Sequence, residues 1–154
     1  MRKIPLPPEI RSTRGLTLIE AIAVLILIGI VAAVAVARGM SSEDVKVRAA
    51  INTLKSHLRY AQYLAMNDLA PIKWGLEIGG SSYELVKYDD GTKTSHTHIL
   101  PGDSSATHSL ESGISASGNS PILFDEWGSP GSADLNVTLN GKSINITANT
   151  GFIP

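Results

Sequence analysis

Hydrophobic and polar positions divide the chain into one almost uninterrupted apolar run and a more polar remainder. Every residue from Ala21 to Ala37 is Ala, Val, Leu, Ile or Gly, and a helix of that length spans about 25 Å. Leu16 to Glu20 extend it to about 30 Å, the thickness of the hydrocarbon core of a bilayer. The pattern therefore predicts a membrane-crossing helix over residues 16–38, with a single acid, Glu20, in its first turns.

Apolar residues return with helical spacing after residue 40. Ser41 or Ser42 can cap this second helical segment, with Asp44 in a capping-box relation to Ser41. The helix is expected to continue through Asn67, and Asn67-Asp68 and the step from Ala70 to Pro71 end it. We expect an amphipathic helix over residues 39–70 that continues from the apolar one, is softest at residues 39–42, and packs on the protein's own sheet. Its apolar stripe is spaced by three or four residues and consists of Val47, Ile51, Leu54, Leu58, Ala61 and Ala65.

Beyond residue 70 the pattern changes to short runs that are typical of β-strands. The first two runs, 73–78 and 83–88, predict a hairpin, and a polar third strand is expected over residues 92–100. Residues 101–121 are rich in Ser and Gly and predict a long loop. A strand at 122–125 and a final hairpin of 135–139 and 143–147, joined by Asn140-Gly141, complete a β-rich domain over residues 71–154. These elements predict an α+β protein with an antiparallel sheet.

Charge is distributed unevenly between the first 15 residues and the rest. The leader, residues 1–15, contains four basic residues and one acid. Subtracting these from the 13 basic and 14 acidic residues of the chain leaves nine and 13, a net charge of −4 for the remainder. Because binding to nucleic acid depends on basic surface, such a domain is a poor partner for DNA. The chain has no cysteine, which excludes disulfides and thiolate metal sites.

The apolar run has two ordinary interpretations, a secretory signal peptide and a simple membrane anchor. Ala35-Val36-Ala37 supplies a small-x-small cleavage site, so a secreted domain cut after Ala37 stays open. Against it, signal peptides have apolar cores of about 7 to 15 residues, which is shorter than this run. Glu20 also argues against a signal peptide, because an ionisable group is costly in the membrane unless it reaches the headgroups or finds a partner.

The step from Arg14 to Gly15, followed by Leu16-Thr17-Leu18-Ile19-Glu20 and an aliphatic run, resembles the class III signal of type IV pilins and type II secretion pseudopilins. The resemblance implies that a prepilin peptidase cleaves the leader after Gly15 and methylates the new amino terminus at Leu16. It also implies that Glu20, the fifth residue after the cut, pairs with the amino terminus of a neighbouring subunit in a filament. The basic leader fits retention of the N-terminus in the cytoplasm.

The resemblance further implies the type IV pilin-like fold. In that fold one long N-terminal helix has a membrane-spanning half and an amphipathic half, and the amphipathic half packs on an antiparallel β-sheet head. The segment Leu54 to Met66, LKSHLRYAQYLAM, and the closing pattern from Ile122 to Ile153 are similar to the GspH/FimT family of minor pseudopilins and minor pilins. One departure is Ala37, where many type IV pilins have a proline that bends the helix. A straighter helix is expected, and the branch of the family stays open.

Few residues suggest metal or catalytic chemistry. His96 and His98 alternate on the expected third strand and would face one side, but no third ligand stands at a defined spacing, which favours two exposed histidines. Asp89, Asp90 and Asp125 could supply oxygen ligands to calcium, which related major pseudopilins bind in this domain. They give no full coordination pattern, so turn-forming acids are favoured. The sequence contains no phosphate loop, nucleophile elbow or zinc helix motif, and neither an enzyme activity nor a cofactor beyond this weak calcium candidate is predicted.

The predicted function is assembly. We expect a minor pseudopilin of a type II secretion system, held in the bacterial inner membrane with a cytoplasmic N-terminus and a periplasmic domain. Its expected partners are other pseudopilins or pilins, the prepilin peptidase, the inner-membrane assembly platform and the lipid bilayer. The alternative is a FimT-like minor pilin of a type IV pilus, acting in pilus assembly or DNA uptake. A secreted periplasmic domain cut after Ala37 is a third interpretation.

Overall fold

The computed structural model describes residues 17–38 and 42–154 of the chain. They belong to two compact units that divide after Met40, and each unit is described by itself. The predicted leader, the cleavage position Gly15 and the new amino terminus Leu16 lie outside the described residues. Of the soft point expected at residues 39–42, residues 39–41 lie outside them as well, and with them the continuity of the two helices.

The first unit contains the apolar helix α1 (Leu18–Arg38). Leucine and alanine favour the helix intrinsically, and the many valines and isoleucines are close behind in water and well suited to an apolar solvent. The one weak helix former in its interior is Gly29, where an added Cβ would have no neighbour within 4 Å. The helix predicted over residues 16–38 is thus confirmed for its described part.

The second unit begins with α2 (Ser42–Asn67), which confirms the predicted end of the amphipathic helix. Five residues of the predicted stripe are buried and the sixth, Ile51, is half-buried. Glu43 and Asp44 stand in the first turn, where acids are favourable near the positive end of the helix dipole. Asp44 also accepts a hydrogen bond from Lys142 Nζ at 2.8 Å, which ties the start of α2 to the last strand.

The larger sheet has five antiparallel strands. They are β1 (Lys73–Ile78), β2 (Ser82–Asp89), β3 (Thr92–Thr94), β4 (Thr107–Ser109) and β6 (Ile122–Phe124), in the order β3-β2-β1-β6, with β4 paired to β2. The predicted first hairpin is confirmed: β1 and β2 pair along their length, and the Gly79 amide donates to the Ser82 carbonyl at 2.8 Å. At Gly75 an added Cβ would lie 1.8 Å from the Ile122 carbonyl oxygen, so β1 and β6 approach too closely there for a side chain.

The smaller sheet has three antiparallel strands, β5 (Ala116–Gly118), β7 (Leu135–Leu139) and β8 (Lys142–Ile146), in the order β5-β7-β8. Asn140 and Gly141 join β7 to β8 with φ angles of 43° and 82°. Two consecutive positive φ values characterise the type I′ turn, which Asn-Gly favours. The predicted final hairpin is therefore confirmed, with β8 one residue earlier than expected.

The core of the second unit lies between α2 and the two sheets. Apolar residues of α2 pack with alternate residues of β1, β2, β6, β7 and β8 around Trp74, Phe124 and Tyr83, all of which are buried. Because burial of apolar surface contributes about 25 cal/mol per Å², these large side chains dominate the stability of the unit. The architecture is α+β, with an amphipathic helix covering antiparallel sheets.

Two sequence expectations for the middle of this domain are wrong. The third strand was expected over residues 92–100, but β3 ends at Thr94, so His96 and His98 lie outside it. The long loop expected over residues 101–121 contains β4 and β5, and Ile114 and Ala116 are buried within it. Both short strands are made of small and polar residues, and they are held by backbone pairing to β2 and β7, which leaves no apolar periodicity in the sequence.

Candidate functional site

The start of α1 is fixed by Thr17 and contains Glu20. The Thr17 carbonyl accepts the amides of Glu20 and Ala21, both at 3.1 Å, and the Thr17 hydroxyl accepts the Glu20 amide at 3.3 Å. Thr17 is therefore the N-cap and Glu20 the third helical residue, so the two residues have the spacing of a capping box. The spacing of Thr17 and Glu20 carries this signal in the sequence, although the capping role was not predicted.

The surface of α1 is apolar around its whole circumference. Five consecutive residues, Val24 to Ile28, are exposed large hydrophobics, and at 100° per residue they cover every direction around the helix. None of the residues in the window Leu18–Val36 is buried, and this segment is long and apolar enough to cross a membrane. A signal sequence near an N-terminus satisfies the same criterion. A helix that is apolar all round belongs in a bilayer or in the core of an assembly.

Glu20 is the one acid on this surface within the described part of α1, and its side chain is exposed. The N-terminal turn stabilises its negative charge through the helix dipole. The structure thus places Glu20 where its carboxylate is free to meet a positive group from outside the helix. Of the predicted processing and assembly residues, Glu20 is described and Gly15 and Leu16 are not.

A buried polar cluster in the second unit was not predicted. His57 is only 2% exposed; its Nδ1 lies 2.8 Å from the Tyr83 hydroxyl and its Nε2 lies 3.0 Å from the Pro101 carbonyl. Since a carbonyl oxygen only accepts, Nε2 carries the proton and Nδ1 accepts from Tyr83. Burial is the main cause that lowers the pKa of His57. His57 stands three residues after Leu54 and four before Ala61, so its place in the buried stripe could have been read from the sequence.

His108 and Asp103 complete this cluster. The His108 Nδ1 lies 2.9 and 3.1 Å from the two carboxylate oxygens of Asp103. The His108 ring stacks on Tyr83 with centroids 4.9 Å apart and meets His57 edge-on at 5.2 Å. Burial also raises the pKa of Tyr83, which keeps its hydroxyl protonated as a donor.

The predicted metal candidates fall elsewhere. Asp125 Oδ1 accepts the amides of Trp127 at 3.0 Å and Ser129 at 2.8 Å, so this carboxylate forms a turn. Asp89 and Asp90 are exposed at the turn between β2 and β3, where Asp90 has a φ of 44°. Within the described ranges 17–38 and 42–154, none of these aspartates belongs to a group of three or more potential metal ligands.

His96 and His98 both contact Trp74 edge-on, with ring centroids 4.9 and 5.0 Å from the indole. The expectation of two exposed histidines is correct for His98 and wrong for His96, which is half-buried and donates its Nε2 hydrogen to the Leu85 carbonyl at 2.9 Å. The hydrogen bond to β2 accounts for the difference, since the rings of both histidines contact Trp74. Neither belongs to a group of three potential metal ligands in the described part of the chain.

An exposed aromatic surface lies where the C-terminal segment meets α2. Gln62 Nε2 donates to the carbonyls of Gly128 at 2.8 Å and Gly151 at 3.2 Å. The neighbours of these glycines, Trp127 and Phe152, are 80% and 63% exposed. Both aromatic side chains are thus exposed next to backbone that Gln62 holds in place.

Comparison with known proteins gives no assignment: no family model matches the chain, and neither a curated protein nor a solved structure does.

Proposed function

We propose that this chain is a structural subunit, a minor pseudopilin of a type II secretion system that resembles the GspH/FimT family. The observation that carries the proposal is α1: its whole circumference is apolar, and its one described acid, Glu20, lies exposed in a capped first turn. A plain anchor needs no such acid, and a cleaved signal needs no helix of this length.

The role of Glu20 follows from the position that it would have in a filament. In the proposed filament the α1 helices of neighbouring subunits pack together, and the carboxylate of Glu20 pairs with the methylated amino terminus of the next subunit, at Leu16. An ion pair in a medium of low dielectric is much stronger than the same pair in water. Leaving one buried charge without its partner costs about 3 to 5 kcal/mol, so the pair selects the axial register of the subunits.

The second unit supports the pilin-like part of the proposal. In the type IV pilin-like fold an amphipathic helix covers an antiparallel sheet in the head. The helix α2 packs in this way through its buried stripe. The exposed aromatic residues Trp127 and Phe152 give the head a surface for neighbouring subunits. In this proposal the head lies in the periplasm, the N-terminus is cytoplasmic before assembly, and the inner-membrane platform and the prepilin peptidase are further partners.

The charges of the head favour secretion over DNA uptake. Four of its lysines, Lys46, Lys87, Lys93 and Lys142, form ion pairs with acids in the described part of the chain. On a domain with a net negative charge, this pairing reduces the basic surface that is available to phosphates. The FimT-like pilus subunit therefore remains a second candidate whose assembly role would be the same, while DNA binding is not supported.

Filament incorporation tests the proposal. The chain would be co-produced with the other pseudopilins, the assembly platform and the prepilin peptidase, and sheared filaments would be probed for it. We expect incorporation of the wild type and of a Glu126→Ala control, which removes an exposed acid of the head, and strong loss for Glu20→Ala. Incorporation of Glu20→Ala at the wild-type level would refute the pairing role. Incorporation only with pilus components would favour the FimT-like alternative.

A further inference from the structure

We propose that His57, Asp103 and His108 form a binding site for a divalent transition metal ion of the zinc type. One nitrogen of each histidine and one carboxylate oxygen lie within 4.8 Å of one another. Two imidazoles and one carboxylate are a donor set that zinc uses with a water as the fourth ligand. The site is separate from α1 and does not depend on the proposed assembly function.

Three different segments deliver the ligands. His57 belongs to α2, Asp103 lies in the segment that connects β3 to β4, and His108 is the middle residue of β4. The strand pairing places Tyr83 of β2 opposite His108, which explains their stacked rings. Because helix, strand and connecting segment are each fixed by other contacts, the donors converge without a metal and pay little ordering entropy when one binds.

Hydrogen bonds supply the outer contacts that metal-bound histidines need. Neutral His57 can bind through Nδ1 while Nε2–H still donates to the Pro101 carbonyl. It can also exchange its tautomer, bind through Nε2 and donate Nδ1–H to the Tyr83 oxygen. Metal-bound histidines almost always donate their second nitrogen in this way, which orients the ring. Either nitrogen of His57 is thus supported by a partner 2.8 or 3.0 Å away.

The proton between His108 and Asp103 is what the metal would replace. In the structure Nδ1 of His108 donates to the carboxylate, and this nitrogen is the one that faces both carboxylate oxygens. Moving the proton to Nε2 leaves a lone pair on Nδ1, so that one cation can take the place of the shared hydrogen. The side chains of both residues are 23% exposed, which leaves a path for the ion and a water.

Within the described residues, the exposed acids belong to no such group of three potential ligands. Glu77 and Glu84 already share a cation, the ammonium group of Lys93, with which both form ion pairs. His96 and His98 flank Trp74 with no third ligand in the described part of the chain, so they serve as an internal control for adventitious binding.

The test is a titration of the untagged full-length chain in detergent micelles after removal of metal with a chelator. We expect one equivalent of Co²⁺ to bind with the visible absorption of a four-coordinate site, and Zn²⁺ to displace it. His108→Ala and Asp103→Asn should bind at least about 100-fold more weakly, since loss of an outer contact alone costs about 10- to 100-fold. His98→Ala should bind as the wild type does.

Wild-type protein that takes up no stoichiometric Co²⁺ or Zn²⁺ would overturn the site, as would His108→Ala binding as tightly as the wild type. A measurement on the wild type keeps the test independent of variant folding. With ¹⁵N-labelled histidine, Zn²⁺ should shift the ring nitrogen signals of His57 and His108 and leave those of His96 and His98 in place. The opposite pattern would contradict the proposal.

Discussion

The hydroxyl oxygen of Thr17 lies 3.3 Å from the amide nitrogen of Glu20, so the residue proposed to join subunits also belongs to the capped first turn of α1. The backbone of Glu20 serves the helix, whereas its carboxylate is exposed. This separation allows the capping contribution and the charge of the side chain to be tested by different substitutions.

Glu20→Gln retains the size of the side chain and removes its charge, and Thr17→Ala removes the cap and retains the charge. We expect Glu20→Gln to be processed normally but to enter filaments poorly, because the amino terminus of the next subunit loses its partner. Thr17→Ala should cost about 1 kcal/mol at the helix start and leave incorporation largely intact. Quantified sheared filaments, with total membrane protein as reference, measure both. Equal losses for the two variants would contradict the assigned roles.

Asp68 gives the head a pH-dependent contribution to stability. It accepts hydrogen bonds from Trp74 Nε1 at 2.9 Å and Lys87 Nζ at 3.0 Å. The Trp74 bond is the main cause that holds the pKa of Asp68 below its ordinary value of 3.8, Lys87 adds to it, and partial burial opposes it. A lowered pKa means that the stabilisation is present above pH 3.8 and is lost as the pH falls through the lower folded value.

Asp68→Asn should therefore lower the free energy of unfolding by about 1 kcal/mol at neutral pH, a modest value because the pair is partly solvated. The difference from the wild type should shrink as the pH falls below 3.8. Urea unfolding followed by near-ultraviolet circular dichroism measures it at each pH. Glu126→Gln, which changes an exposed acid of the head, controls for general charge effects. A difference that grows in acid would have the wrong sign.

Gly75 tests the close approach of β1 and β6. Gly75→Ala would put a Cβ 1.8 Å from the Ile122 carbonyl oxygen, so the two strands must move apart. We expect a loss of about 3 kcal/mol or more, comparable to severe overpacking of a core. Gly80→Ala is the matched control, because nothing lies within 4 Å of its added Cβ. Thermal unfolding of both variants gives the comparison, and equal midpoints would refute the packing described for β1.

A substitution of Gln62 tests whether its hydrogen bonds hold the backbone next to Trp127 and Phe152 in place. Gln62→Ala removes the hydrogen bonds to the Gly128 and Gly151 carbonyls, each of which contributes about 0.5 to 1.5 kcal/mol. We expect faster hydrogen exchange at residues 127–131 and 150–154, and weaker binding of any partner that contacts Trp127. Asn52→Ala, an exposed amide of the same helix, should leave the exchange rates unchanged. Unaltered exchange in Gln62→Ala would show that the segment is held by other contacts.

Sequence patterns predicted the elements whose signals are local. The stripe of α2 and the Asn140-Gly141 turn each depend on residues that are close together in the sequence, and the structure confirms both. The cluster around His57 has no such signal, because His57 and Pro101 are 44 residues apart and meet only in the folded unit. For the same reason the sequence predicts a loop where β4 and β5 lie, because their pairing with β2 and β7 is long-range and involves small, polar side chains.

The mature N-terminus tests the central claim most directly. Mass spectrometry of the protein isolated from bacterial membranes that contain prepilin peptidase should find a chain that begins at N-methylated Leu16, and substitution of Gly15 should abolish this processing. A mature chain that begins at Arg38 would contradict the account, because cleavage after Ala37 would remove α1 up to its last residue and, with it, Glu20.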